Sequence, residues 1–545
     1  MLPFFKREEI RMDKGKGYRP HFHIQPPKGW LNDPNGSVCY QGLYHIFFQY
    51  APDSPLGSGR KCWGHYTSED LVHFTFEGIS IYPDHPMDKD GVYSGTAWIG
   101  EDGLELYYTG NVKHPGNYDY INEGRGHNVL RVKTKDGFSI SEKELLLENK
   151  DYPSDLSCHV RDPKIFFEKG RFHMLLGARS RDSHGGLLLM KSEDRDHWEI
   201  EREFFPDDFG FMLECPDYFE IDGQKVVAFC PQGVESQDWH FQNIYNSGYI
   251  FLSEDLSAGG DEKRLGEEAK GEKILNHDDG NENLRREIRK EYFREWDLGF
   301  DFYAPQTFAT PDGRRILIGW AGVPDVPYGN HPSIEEGWQH TMTLPRELSL
   351  RNGRLYSQPV RELAQARGRK LSWDKDHKFL DSTCLDIMIS AKMDAKLPRD
   401  GSISDKMDAK LPREEILSGD DRGRSLEATS NSSDGLENAG PALHLKINDD
   451  LCFEVDGETG MASLRFLNDT GDGRDVRKGR LTASNGFENL RLVMDRCMIE
   501  LYLNDGELVF TSRFYPKDLE GISLSLEEDY DVECYEIEDT IHISE

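Results

Sequence analysis

The sequence predicts an all-β protein, a five-bladed β-propeller followed by a C-terminal β-sandwich. From Gly36 to about Leu348, short apolar or alternating runs such as Leu43–Tyr50 are broken by Gly, Asp, Asn and Pro, and amphipathic helices are few. A Ser/Thr-x-Asp mark also recurs at intervals of roughly 60 residues, each time after a run typical of a strand. Beyond residue 370 the β pattern returns with a hairpin signal at Asn504-Asp505-Gly506, which favours an antiparallel sandwich.

The recurring mark is the basis for the number of blades. Five occurrences suggest five blades, each of about 40–50 residues plus insertions. Because Ser/Thr-x-Asp is a common pattern, a sandwich or a barrel with chance spacing is the alternative. The marks begin at Ser68, Thr134, Ser192, Ser253 and Thr310.

The same patterns divide the chain into a propeller at 1–350, a linker at 351–370 and a sandwich at 371–545. Within the sandwich, Lys392–Arg399 is repeated verbatim as Lys406–Arg413, and a polar run follows. One duplication is too short for a solenoid, so we expect a flexible insertion near 392–440. A partner-binding arm is the alternative interpretation.

Composition excludes several classes of partner. The 545 residues carry 65 Lys and Arg against 99 Asp and Glu, a formal charge of −34, which disfavours nucleic acid and anionic membranes. The nine cysteines form no Cys-x-x-Cys pair, so neither disulfides nor a zinc site are predicted. With no signal-peptide pattern and no apolar run of about 20 residues, we expect a cytoplasmic protein without a membrane span. The sequence gives no indication of oligomeric state.

One stretch near the N-terminus suggests chemistry. Asn32-Asp33-Pro34-Asn35-Gly36 has the breakers of a tight turn, which would place the Asp33 carboxylate at a strand end beside the aromatic face of Trp30. Such a pair suits a catalytic acid beside a sugar. The alternative is an ordinary hairpin turn with Trp30 in the core.

Two further carboxylates have similar surroundings, Asp162 in Arg161-Asp162-Pro163 and Glu214 in Glu214-Cys215-Pro216. Glu214 follows apolar residues, so we expect burial to raise its pKa, whereas Asp33, served by turn N–H groups, should stay ionised. One protonated and one ionised carboxyl are what retaining glycoside hydrolysis needs. The alternatives are a structural Arg161–Asp162 ion pair and a buried, hydrogen-bonded Glu214.

These three motifs, in this order, resemble the signatures of glycoside hydrolase family thirty-two, which contains invertases, sucrose-6-phosphate hydrolases and fructan hydrolases. The resemblance implies a five-bladed propeller with an axial site and a sandwich. It also implies that Asp33 is the nucleophile, that Glu214 is the general acid and base, and that Asp162 binds fructose hydroxyls. The substrate-binding positions that it implies are Trp30, Asn32, Gln49, Trp63, Tyr93, Ser94, Arg161 and Trp320.

The resemblance predicts a β-fructofuranosidase that cleaves sucrose or sucrose 6-phosphate without a metal or another cofactor. Fructan or fructooligosaccharide exo-hydrolysis and fructosyl transfer are alternatives that use the same carboxylates, and a non-enzymatic sugar-binding module would require one to be missing. A phosphorylated substrate would need cations at the funnel mouth. The candidates for that contact are Arg60, Lys61, His65 and His114.

Overall fold

The structure is a computed structural model that describes residues 17–257, 284, 286–392, 442–482 and 486–543. The all-β prediction is confirmed. The helices are short, and within the described residues none has the length and apolarity to cross a membrane. Their bounds are α1 (His331–Glu335) and the 3-10 helices Asn149–Asp151, Lys290–Tyr292, Arg361–Ala366 and Asp469–Gly471.

Five antiparallel sheets follow one another along the first domain. Sheet I contains β1 (Gly29–Tyr40), β2 (Leu43–Ala51), β3 (Cys62–Ser68) and β4 (Phe74–Ile81). Sheet II contains β5 (Val92–Gly100), β6 (Gly103–Lys113), β7 (Arg125–Thr134) and β8 (Glu144–Leu147). Sheet III contains β9 (Leu156–Glu168), β10 (Arg171–Ser180), β11 (Gly185–Ser192) and β12 (Glu199–Phe204).

The last two sheets of this domain have the same order. Sheet IV contains β13 (Met212–Ile221), β14 (Gln224–Gln232), β15 (Gly248–Leu252) and β16 (Arg294–Glu295). Sheet V contains β17 (Tyr303–Ala309), β18 (Arg315–Ala321), β21 (Arg346–Arg351) and β22 (Arg354–Pro359), and β20 (Thr341–Met342) pairs with β18. The short strand β19 (Trp338–Gln339) lies parallel to β1, which brings sheet V back to sheet I.

The first strands of the five sheets form a closed ring. β1 contacts β5, β5 contacts β9, β9 contacts β13, β13 contacts β17, and β17 contacts β1. A separate cluster of buried apolar side chains fills each gap between neighbouring sheets. We interpret this ring as a propeller with five blades, in which a site at the axis is surrounded by first strands.

The recurring mark corresponds to one structural position in four of the five sheets. Ser68, Thr134, Ser192 and Ser253 end or directly follow the third strand of sheets I to IV. In the first three, the hydroxyl accepts a backbone N–H three residues on and so closes the turn. Thr310 follows β17, the first strand of sheet V, so the fifth mark is not equivalent to the others.

The second domain is a sandwich of two six-stranded sheets, as predicted. Their facing side chains form one core of Leu, Ile and Phe. One sheet has the order β23 (Arg367–Leu371), β34 (Tyr530–Ile537), β25 (Cys384–Ala391), β30 (Asn489–Asp495), β31 (Met498–Leu503) and β32 (Leu508–Arg513). The other has the order β24 (Phe379–Leu380), β33 (Ile522–Leu526), β26 (Leu443–Ile447), β27 (Leu451–Val455), β28 (Met461–Phe466) and β29 (Val476–Arg480).

The domain boundaries differ from those predicted. The boundary at 350 falls inside the β21–β22 hairpin, because sheet V continues to Pro359, and the sandwich begins within the predicted linker, at Arg367. The final strand, β35 (Ile541–Ile543), leaves the sandwich and pairs in parallel with β4 of sheet I. The predicted insertion near 392–440 lies, apart from Lys392, outside the described residues.

Candidate active site

A cavity of about 230 Å³ opens among the first strands of the ring. β1, β9, β13 and β17 all contribute to its wall, so it lies where a propeller places its axial site. Asp33, Asp162 and Glu214 all face it. Its lining residues are Trp30, Asn32, Asp33, Gln49, Lys61, Tyr93, Arg125, His159, Arg161, Asp162, Glu214, Tyr303, Trp320 and Pro324.

The carboxylates are carried by irregularities inside strands rather than by turns. The register of each first strand shifts where its motif lies, as a β-bulge does. In four of the five, a proline lies at the shift, because a residue without an N–H is tolerated where the ladder is already broken. These pairs are Asp33-Pro34, Asp162-Pro163, Cys215-Pro216 and Ala304-Pro305. The predicted turn at Asp33 is therefore wrong, since the breakers mark a bulge in β1.

Asp33 is held by side chains. Its Oδ1 accepts a hydrogen bond from Asn32 Nδ2 at 3.0 Å, and its Oδ2 accepts from Gln49 Nε2 at 3.1 Å and from Ser94 Oγ at 2.5 Å. Burial raises the pKa of Asp33, and the donors Ser94 and Asn32 oppose that effect. The sequence predicted that backbone N–H groups of a turn would donate to this carboxylate, whereas the structure shows side-chain donors from three residues.

Asp162 lies close to Asp33. Its backbone has a φ of 64°, and its Oδ2 accepts the N–H of Cys215 at 3.0 Å. The Cys215 thiol lies 3.8 Å from Asp33 Oδ2 and 3.7 Å from Asp162 Oδ2, so one sulfur contacts both carboxylates. Burial raises the pKa of Asp162 to about 7, although the Arg161 guanidinium opposes the shift.

Glu214 is surrounded by donors, so the apolar surroundings predicted for it are wrong. Oε1 accepts a hydrogen bond from Arg161 Nη2, and Oε2 accepts from Gln232 Nε2 at 2.6 Å and from Tyr303 OH at 2.7 Å. Arg161 in turn lies 2.6 Å from Nδ1 of His159, whose Nε2 lies 3.0 Å from a backbone carbonyl. This chain of contacts fixes the direction in which the carboxyl faces the cavity.

Aromatic side chains form part of the wall. The rings of Trp30 and Trp320 lie 5.9 Å apart, and Trp30 Nε1 donates to Asn32 Oδ1 at 2.9 Å. Apolar ring faces beside amide and carboxylate groups suit a sugar, which has apolar faces and hydroxyl edges.

Two predicted binding residues lie behind the wall. Trp63 is fully buried against Phe47 and Tyr108, and its Nε1 donates to the carbonyl of Tyr93. Ser94 is also buried and reaches the site through two lining residues, since its Oγ donates to Asp33 Oδ2 and accepts from Gln49 Nε2 at 2.6 Å. Trp63 therefore does not line the cavity, because its strand turns the indole into the core between sheets I and II, and its contact with a substrate stays a prediction.

The cations of the wall differ from most of those predicted. Lys61 and Arg125 line the cavity, whereas His65 is buried beneath His45, and Arg60 and His114 are exposed outside the lining. Arg125 begins β7, outside every motif, so no sequence signal indicated it. Tyr303, in β17, also lies outside the three motifs.

Comparison with known proteins identifies the class. The model of the glycosyl hydrolases family 32 N-terminal domain matches residues 23–359, and that of the family 32 C-terminal domain matches 419–540. The chain therefore belongs to glycosyl hydrolase family 32.

Individual relatives agree with this assignment. A sucrose-6-phosphate hydrolase from Bacillus subtilis (strain 168) is 32% identical over 506 residues, which is 92% of this chain and 89% of that protein. One from Vibrio alginolyticus is 32% identical over 533 residues, 96% of this chain and 92% of that protein. Among solved structures, a Bombyx mori β-fructofuranosidase has a TM-score of 0.71 at 26% identity, with 96% of this chain and 95% of that chain covered.

Proposed function

We propose that this chain is a retaining β-fructofuranosidase with sucrose 6-phosphate as its preferred substrate. The observation that carries the proposal is that two carboxyl groups, Asp33 and Glu214, face one cavity and are each fixed by surrounding donors. Two carboxyls in fixed positions are what glycoside hydrolysis needs, and it proceeds through a covalent intermediate when one of them acts as the nucleophile. The names of the relatives above support the choice of a fructosyl bond.

In the first step, the ionised Asp33 carboxylate attacks the anomeric carbon of the fructosyl unit. The protonated Glu214 carboxyl gives its proton to the departing glucosyl oxygen, and the product is a fructosyl ester of Asp33. In the second step, Glu214 takes a proton from water, the water oxygen attacks the same carbon, and Asp33 leaves. Asp162 and Arg161, which line the same cavity, would bind fructose hydroxyls beside these groups.

Azide products distinguish the two catalytic roles. Glu214→Ala should lose most hydrolysis of sucrose, and with azide its remaining turnover should give a fructosyl azide of retained configuration, because Asp33 still forms the ester and azide attacks it without a general base. Asp33→Ala should give no retained product. Glu220→Gln, an exposed position on the same strand, should behave like the parent enzyme. Retained azide product from Asp33→Ala would exclude Asp33 as the nucleophile.

The preference for a phosphorylated sugar is proposed from the charges of the wall. Lys61 and Arg125 both line the cavity, and within the described ranges neither forms an ion pair with a carboxylate. Arg125 Nε is buried without a hydrogen-bond partner there, although the chain as a whole carries an excess of acidic groups. Burial lowers the pKa of Lys61 to about 7, against the influence of Asp33, and a bound dianion would favour its charged form.

Steady-state kinetics on sucrose and sucrose 6-phosphate test this preference. We expect kcat/KM to be at least about tenfold higher for the phosphorylated sugar, equivalent to about 1.4 kcal/mol. Arg125→Gln should remove most of that advantage and leave sucrose turnover within about threefold, whereas the exposed control Arg60→Gln should change neither. Equal losses on both sugars would contradict phosphate recognition, and better turnover of kestose or inulin would favour a fructan hydrolase.

The nine cysteines are all free in the structure. This state fits the reducing cytoplasm, which we propose as the location of the enzyme. Fractionation of cells that produce it should recover the activity with cytoplasmic markers, and recovery from the culture medium would contradict this location.

A further inference from the structure

A second cluster of chemically active side chains lies on the sandwich, away from the cavity. β26 and β27 alternate, so that Leu443, Leu445 and Phe453 enter the core while the residues between them face outward. His444 is paired directly with Glu454 across the two strands. Cys452 is two residues from Glu454 and therefore shares its face.

The separations within this cluster fit a tetrahedral metal ion. One donor atom from each of His444, Cys452 and Glu454 lies within 4.8 Å of the others. Cys452 Sγ is 3.6 Å from His444 Nε2, and bonds of about 2.3 Å to sulfur and 2.0–2.1 Å to nitrogen at a tetrahedral angle place these atoms about 3.6 Å apart. Glu454 Oε1 lies 2.9 Å from the same nitrogen and would move outward by about half an ångström.

A fourth residue orients the histidine. Glu527, just beyond β33, places its Oε1 3.1 Å from His444 Nδ1. A carboxylate on one ring nitrogen fixes the imidazole so that the other nitrogen faces the metal, and such pairs are usual behind histidine ligands. His444 thus has one nitrogen held by Glu527 and the other directed at Cys452 and Glu454.

The exposure of the ligands allows an ion to enter. The side chains of His444 and Glu454 are 25% and 45% exposed, whereas Cys452 lies buried beneath them. A thiolate with an imidazole selects zinc over magnesium or calcium, which prefer oxygen ligands.

We propose that His444, Cys452 and Glu454 bind one zinc ion, with water as the fourth ligand and Glu527 as the residue that positions His444. On binding, the Cys452 thiol loses its proton to solvent and the sulfur bonds to the metal. The sequence did not reveal this site, because strand pairing, rather than a short spacing, brings its ligands together. The proposal is independent of the fructosidase activity.

The test uses the full chain, stripped with a chelator and dialysed. Calorimetric titration with zinc should show one equivalent, and titration with cobalt(II) should produce the near-ultraviolet charge-transfer band of a cobalt–thiolate bond. Cys452→Ser should abolish the band and weaken zinc binding by at least about 100-fold, and the partly exposed control Cys39→Ser should retain both. Glu527→Gln should weaken zinc binding by about 10–100-fold.

A second ligand variant covers the case in which Cys452→Ser does not fold. Glu454→Ala removes a half-exposed side chain and should lower zinc affinity while fructose release and far-ultraviolet circular dichroism stay unchanged. Less than stoichiometric zinc in the parent protein, or parental affinity in both Cys452→Ser and Glu454→Ala, would overturn the site. Because the readouts are metal binding and spectra, failure of the proposed fructosidase activity would not affect this result.

Discussion

The protonation state of Asp33 should set the acid limb of the pH profile of kcat/KM. Burial raises its pKa, and the hydroxyl of Ser94, 2.5 Å from Oδ2, stabilises the ionised form that attacks the sugar. The rate should therefore rise with pH as Asp33 loses its proton. Removing the donor in Ser94→Ala should raise that pKa further and move the acid limb of kcat/KM to higher pH.

This prediction is checked with pH profiles of kcat/KM on sucrose for both enzymes. Ser80→Ala is a suitable control, because the Ser80 hydroxyl has no hydrogen-bond partner among the described residues. The alkaline limb should move little in either variant. An unshifted acid limb in Ser94→Ala would mean that the hydroxyl does not tune Asp33.

The raised pKa of Asp162 should make the stability of the folded protein depend on pH. Because burial raises its pKa to about 7 from about 3.9 in the unfolded chain, the folded state binds the proton more tightly, and stability falls as pH rises through that window. Asp162→Asn should therefore be more stable than the parent by about 1–3 kcal/mol at pH 8 and no more stable at pH 4, while losing activity. Urea unfolding at the two pH values measures the difference, and an equal effect at both would contradict it.

At the scale of elements, the bulge in β5 depends on a glycine. A Cβ on Gly95 would lie 1.9 Å from the carbonyl oxygen of Tyr107 and 2.6 Å from Tyr108 Cα, both backbone atoms of β6. Gly95→Ala should force the strands apart, displace Ser94 from Asp33 and lower both kcat and stability, the latter by about 1–3 kcal/mol. Gly126→Ala is the control, because a Cβ there meets nothing closer than 3.4 Å. Measurements of kcat and of thermal unfolding should show both losses in Gly95→Ala and neither in Gly126→Ala.

The sequence predicted strands well and their irregularities badly. The predicted run Leu43–Tyr50 lies within strand β2, since an apolar run bounded by breakers has few other structures available. The same breakers at Asp33-Pro34 and Cys215-Pro216 suggested turns, because a proline marks a bulge and a turn alike, and only pairing with the next strand separates them.

Those residues of the site that lie within the three motifs were predicted from the sequence. Asp33, Asp162 and Glu214 do face one cavity, and their roles stay predictions. Arg125 and two of the donors to Glu214, Gln232 and Tyr303, could not be anticipated, because they lie outside the three motifs and only the pairing of strands brings them to the site. The position of Trp63 was also not predictable, because the sequence does not show whether its indole lines the cavity or packs behind the cavity wall.

At the scale of the whole molecule, buried charges join the two domains. Arg346 of β21 donates from Nη2 to Glu500 Oε2 of the sandwich at 2.6 Å and from Nη1 to Asp297 Oδ2 at 2.9 Å. His23 Nε2 lies 2.9 Å from Glu500 Oε1, and its Nδ1 lies 2.8 Å from Asp495. β35 also pairs with β4 of sheet I. Through these contacts, each domain stabilises the other.

Glu500→Gln should therefore weaken the whole molecule. Breaking a buried pair leaves a charge uncompensated, so we expect the free energy of unfolding to fall by about 3–5 kcal/mol at pH 7, against less than about 1 kcal/mol for Glu536→Gln, whose partner Arg369 is half exposed.

Burial alone would raise the pKa of Glu500, but Arg346 and His23 hold it at about 2, below its unfolded value of about 4.3. The parent should thus lose this stability as pH falls from about 4.5 towards 2, whereas the variant should lack that part of the pH dependence. Unfolding in urea at pH 7 and across this acid range measures both effects, and a variant as stable as Glu536→Gln would show that the domains hold together without this network.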